Sequence, residues 1–140
     1  MIYIILSIIY ILTTHFVCDF IMQTDEMAKG KSTSIKWLTL HIISYFKGFM
    51  WSAILFYCLV VLIYGTVISP WLLIGYCFTN ALLHWVTDYF TSKQTKKLWE
   101  QQRVHDFFVM IGLDQLIHAT CLLVTFYFFF QDKFGGIVLI

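Results

Sequence analysis

Four long apolar runs, at residues 2–22, 37–64, 71–90 and 107–130, are separated by three short breaks. Within each run the apolar residues fill every face instead of alternating, which fits a helix buried all round and not a half-buried strand. About 20 such residues carry an α-helix across the hydrocarbon of a bilayer. The pattern predicts an all-α integral membrane protein, a single four-transmembrane-helix bundle over residues 1–140. The first run has no basic flank and no small-residue cleavage site, and it contains His15 and Asp19. It therefore reads as a retained helix and not as a secretion signal.

Composition agrees with this reading. Of 140 residues, 60% are hydrophobic, 19% aromatic and 12% charged, and mean hydropathy is +0.80. A soluble domain of this size has no core large enough to hide so much apolar surface. Charge then orients the spans. The break at 23–36 holds Lys29, Lys31 and Lys36, the break at 91–106 holds Lys93, Lys96, Lys97 and Arg103, and the link at 65–70 has no charge. The positive-inside rule makes the two basic loops cytoplasmic and both termini extracytoplasmic, in a plasma or inner membrane. Residues 92–103 read as a short interfacial helix beside anionic lipid. A net charge of +1 argues against a nucleic-acid partner.

The polar residues inside the apolar runs carry the chemistry. "HFVCDF" and "HWVTDYF" each place an Asp four residues after a His, at His15/Asp19 and His84/Asp88. Residues four apart share a helical face. "DQLIHAT" reverses the order at Asp114 and His118, and the second span adds His41. Counting ~1.5 Å per residue from the basic ends puts His15, His84, His41 and Asp114 ~8–10 Å deep, Asp19 and Asp88 ~5 Å, and His118 ~16 Å. A lone His in a span commonly serves interhelical hydrogen bonding. Seven ionisable groups in one slab are a different matter, because each Asp costs ~3 kcal/mol to insert.

A divalent cation keeps imidazole neutral and carboxylate ionised while offsetting their burial. Seven candidate ligands (His15, Asp19, His41, His84, Asp88, Asp114, His118) exceed one tetrahedral site and suit two adjacent ions. Nitrogen and oxygen donors favour Zn, Mn or Fe. Cys18, Cys58, Cys77 and Cys121 lack CxxC spacing and read as packing residues, with Cys18 and Cys121 outside candidates for soft ligands. Gln23 and Asn80 extend the ligand faces by a turn, as outer groups orienting the ligands or as ordinary interhelical contacts. Lys47, ~15 Å into its span, either joins the polar interior or marks a bilayer boundary near Gly48.

The first and third spans run in the same direction and carry the same HxxxD phrase. That layout fits two pseudo-symmetric helical hairpins related by an axis along the membrane normal. "HFVCDFIMQTDEMAKGK", "LTLHIISY", "HWVTDYFTSK" and "GLDQLIH", taken together, resemble the small integral-membrane proteins of bacteria and phages called domain of unknown function 3307. The resemblance covers nearly the whole chain. It implicates His15, Asp19, Gln23, Lys29 or Lys31, His41, His84, Asp88, Lys93, Asp114, Gln115 and His118. Cys18 and Met22 depart from its usual small or aliphatic residues.

The leading functional reading is an intramembrane metalloenzyme near the cytoplasmic leaflet, hydrolysing a lipid or lipid-linked ester or phosphoester. Asp19 and Asp88 are its candidate catalytic carboxylates. The alternatives are a metal-ion or proton transport module, a b-type haem redox protein, and a non-catalytic scaffold joined to itself or to a membrane-protein partner.

Overall fold

The computed structural model describes residues 2–65 and 67–138. Every element in it is helical: α1 (Ile2–Phe16), which continues directly into a π-helical turn (Val17–Ile21), then α2 (Asp25–Gly30), α3 (Ile35–Tyr64), α4 (Pro70–Glu100) and α5 (Val104–Val138). No strand occurs among the described residues. The two apolar stretches Ile35–Ile63 and Val104–Gln131 are long and apolar enough to cross a membrane, and Ile5–Ile21 is a shorter apolar helix. The long α4 instead buries Asn80, His84, Asp88 and Thr91 along one side.

Local sequence sets the ends of these helices. The Thr24 hydroxyl accepts from the Met27 amide at 3.3 Å, and Asp25 and Glu26 follow in the positively polarised first turn. Gly65, at φ 64°, closes α3 with its amide on the Val61 carbonyl, a left-handed stop that suits glycine. Pro70 opens α4, where its missing N–H leaves no bond unmade.

No separate interfacial helix follows Phe90. Residues 91–100 continue α4 without a break, because no glycine or proline interrupts them and Thr91 and Thr95 bond back to carbonyls one turn earlier. The chain reverses only at Gln102, at φ 55°.

Packing is heaviest along α4, which lies between α3 and α5. At one end Ile11, Phe49, Leu73, Tyr76, Leu122 and Phe130 form an apolar core. At the other, the buried residues are polar: His41 is 0% exposed, Asp88 1%, and His84 and Asp19 2% each. Outward, Leu62, Trp71 and Trp51 are 82%, 78% and 73% exposed. The surface is thus apolar where a water-soluble bundle would be polar. A close approach at Gly48 seats the π-turn on α3. A Cβ there would stand 2.5 Å from Met22 Sδ and 2.8 Å from Cys18 Sγ.

Candidate metal centre

The π-turn is what turns Asp19 inward. The Met22 amide reaches back five residues to the Val17 carbonyl, at 2.9 Å. This wider turn buries two consecutive side chains, Cys18 against α3 and Asp19 in the bundle interior. An α-helix separates successive side chains by about 100°, and the wider turn here brings both onto the bundle side. Single-turn π-segments recur at functional sites.

Four atoms from three segments converge there: Asp19 Oδ1 from the π-turn, His41 Nε2 from α3, and His84 Nε2 and Asp88 Oδ2 from α4. His41 Nε2 is 3.2 Å from Asp19 Oδ1, 3.4 Å from Asp88 Oδ2 and 3.3 Å from His84 Nε2. His84 Nε2 is 3.3 Å and 3.5 Å from the same two oxygens. Ligands 2.0–2.1 Å from a tetrahedral ion stand about 3.3–3.4 Å apart, so these five separations are those of a tetrahedron's edges. Asp19 Oδ1 is buried and has no hydrogen-bond donor among the described residues. An orphaned carboxylate oxygen facing two imidazole nitrogens is what a shared cation would satisfy. The residues fit a divalent ion.

A second group adjoins the first. His118 Nε2 on α5 lies 3.3 Å from Asp88 Oδ1 and 3.4 Å from Asp114 Oδ1. Asp19, Asp114 and His118 also offer ligand atoms within 4.8 Å of one another. Asp19 thus belongs to both groups, and Asp88 turns one oxygen to each.

All seven residues meet, in different roles. His15 falls in neither ligand group. Its Nδ1 bonds the Tyr45 hydroxyl at 3.2 Å, its Nε2 meets Gln115 Oε1 at 3.3 Å, and Asp19 is 3.8 Å away. Gln115 is a hub, its Nε2 donating to Asp19 Oδ2 and Asp114 Oδ2 at 3.0 Å each. The Nδ1 atoms of His41 and His84 have no hydrogen-bond partner among the described residues. Ring packing holds His84 instead, with Tyr45 at 4.2 Å and His118 stacked at 4.0 Å.

The remaining candidates divide. Gln23 lines the approach to the site, and its Oε1 is buried without a partner. Asn80 lies away from the cluster and clasps Thr125 in a reciprocal pair of bonds, at 2.8 and 3.1 Å, that ties α4 to α5. Lys47 is exposed, outside the polar interior. Lys29 pairs with Asp25 in the open, and Lys93 sits 3.3 Å over the Tyr89 ring. Of Lys29 and Lys31, it is Lys31 that reaches the cluster, with Nζ 2.9 Å from Asp88 Oδ2. Burial works against its charge, and the Asp88 and Asp19 carboxylates outweigh burial and raise its pKa above the ordinary lysine value. Thr91, missed in the sequence, donates to Asp114 Oδ1 at 2.5 Å. Its only signal was its place on the His84/Asp88 face. Cys18 and Cys121 belong to neither ligand group.

The cluster is the floor of an open cleft of about 650 Å³. Asp19, Asp88, Asp114 and Gln115 line it together with Lys29, Lys31 and Lys96 and with the apolar Phe20, Trp99, Phe107, Phe108 and Ile111.

Fold and site define a class: an apolar-surfaced helical protein with a buried His/Asp cluster able to hold a metal ion. The chain belongs to the family described as protein of unknown function (DUF3307), whose model matches residues 7–135. No curated protein and no solved structure matches it.

Proposed function

We propose that this chain is an intramembrane metal-dependent hydrolase of lipid or lipid-linked esters or phosphoesters, its four long helical segments crossing the bilayer and its basic loops cytoplasmic. One observation carries the reading: four atoms stand at tetrahedral separations, and the two carboxylates among them line a cleft that also bears Lys29, Lys31 and Lys96. Zn, Mn or Fe suits these donors, and when bound such an ion polarises an ester oxygen and lowers the pKa of coordinated water.

The protein's own groups supply the rest. Asp19 and Asp88 each direct an oxygen into the converging set, which makes them ligands before bases. Asp114 has the most access to the cleft, its side chain 14% exposed against 3% for Asp19 and 1% for Asp88. Thr91 and Gln115 fix its orientation. It is the carboxylate placed to accept a proton from an incoming water.

Two observations weigh against the alternatives. Beyond the cluster a cavity is lined mainly by Ile11, Phe49, Ile68, Leu73, Phe126 and Phe130, and its hydroxyls on Tyr10, Thr14, Ser52 and Tyr76 are bonded to one another or to backbone, a poor path for a metal ion. The His84 and His118 rings stack at 4.0 Å, without room for a porphyrin between them. The test is elemental analysis of the detergent-purified protein, followed by hydrolysis of a phospholipid and lipid-phosphate panel with and without chelator. Chelator-sensitive turnover in metal-bearing protein is expected. Metal-bearing protein inert on every lipid would overturn the hydrolase, and metal-free protein with full activity would overturn the metal centre.

A further inference from the structure

We infer that the cleft takes a phosphate-bearing lipid, with Lys31 gripping the phosphate over the metal centre and the aromatic side of the cleft receiving an acyl chain. The inference rests on the metal-centre reading and narrows its substrate class from esters in general to anionic phosphate headgroups.

Charge is the first argument. Asp19, Asp88 and Asp114 put three negative charges on the cleft floor, which alone would repel a phosphate. Two divalent ions more than cancel them. Lys31 then adds a cation where the reacting headgroup would lie, because its ammonium is 2.9 Å from a ligand oxygen of Asp88. An ammonium has three N–H donors, and Asp88 takes the one hydrogen bond found for Lys31. The remaining donors are available to a ligand. A neutral ester has no use for this cation, whereas a phosphate monoester carries close to two negative charges at neutral pH.

Shape is the second. Lys31 follows α2, which packs on α3 and lends Ala28 and Lys29 to the lining of the cleft. Phe107, Phe108 and Ile111 of α5 line the same cleft, and Phe108 is 63% exposed. One cleft thus joins a lysine-bearing polar lining to an apolar lining that reaches the surface. That is the outline of a lipid entering from the bilayer, not of a soluble phosphate entering from water.

The experiment is native mass spectrometry of the purified, metal-bearing full chain with dioleoyl phosphatidic acid, dioleoyl phosphatidylcholine, dioleoylglycerol or glycerol phosphate. Phosphatidic acid should be retained about tenfold or more over the other three, the scale of a hydrogen bond to a charged group. Lys31→Gln should abolish the preference, Lys31→Arg should keep it, Lys96→Gln should reduce it, and Lys36→Gln outside the cleft should leave it intact. Equal retention of phosphatidylcholine, undiminished preference in Lys31→Gln, or equal binding of glycerol phosphate would overturn the inference. Selective retention without turnover refutes the hydrolase alone. Turnover of neutral esters, indifferent to Lys31→Gln, refutes this inference alone.

Discussion

The Nε2 atoms of His41 and His84 face each other across 3.3 Å, and both lie within 3.5 Å of the same two carboxylate oxygens. Two neutral imidazoles share at most one proton along such a contact, so the four-atom set is poorly served by hydrogen bonding alone. Purified protein should carry one or two transition-metal ions per chain by mass spectrometric elemental analysis. His41→Ala and His84→Ala should each remove at least one, and the double variant little more than either.

Asp19 and Asp114 should respond differently to the same substitution. Asp19 belongs to both ligand groups, so Asp19→Asn should deplete both ions and activity with them. Asp114 belongs to one, so Asp114→Asn should spare the His41/His84 ion, deplete the one beside His118, and lower turnover by at least the ~10²–10⁴-fold of a lost proton acceptor. Metal counts on both variants beside the lipid assay decide the matter. Full metal in Asp19→Asn would return it to the role of base.

Tyr45 and Asn80 are expected to act on stability and not on metal content. Tyr45→Phe leaves His15 Nδ1 without its partner, and a buried group left unpaired costs about 1–3 kcal/mol. Asn80→Leu removes both bonds to Thr125, where interhelical hydrogen bonds contribute about 0.6 kcal/mol each on average. Thermal unfolding in detergent should show both losses with metal content unchanged.

Gly48→Leu should be far more damaging than its chemistry implies. Met22 can swing away from a Cβ at Gly48, but the short, buried Cys18 side chain, with Sγ 2.8 Å from that Cβ, cannot, so the larger side chain should push the π-turn, and Asp19 with it, off α3. Metal loss with the helical circular dichroism retained is the expected result. An unaltered metal count would mean the π-turn moves freely.

The proposed topology rests on the two basic loops. Reporter fusions after Ser32 and after Gln102 should read cytoplasmic, and one after Thr66 extracytoplasmic. Opposite signals at the two basic loops would end the four-span arrangement.

How much of this was legible in the sequence varies by residue. His84 and Asp88 were read correctly as a same-face pair because α4 is regular around them, and period alone places them. The same arithmetic brought His15 and Asp19 together, 3.8 Å apart, but it could not tell that His15 would bond Tyr45 and Gln115 and fall outside the ligand groups. Nothing in "HFVCDF" marks a π-turn; its cause is tertiary, the seat at Gly48. Depth counting brought seven residues to one level but gave no neighbours, so Asn80 stayed open between an outer group and an interhelical contact until Thr125 appeared as its partner. Lys31 lies 57 residues from Asp88, a contact that no local pattern contains. The continuation of α4 past Phe90 was missed because polarity was taken for an end, when only helix-breaking residues would have made one.

The π-turn at Val17–Ile21 has a genetic consequence. A π-turn holds one residue more than the α-helical turn it replaces. Deleting a single codon there would leave an unbroken first helix, the same loops and the same apolar outer surface, with Asp19 rotated out of register by roughly 100°. The helical architecture and the converging His/Asp set of this chain are therefore separable by one residue. A descendant that lost that codon would keep the family's sequence and lose the one carboxylate that both ligand groups share.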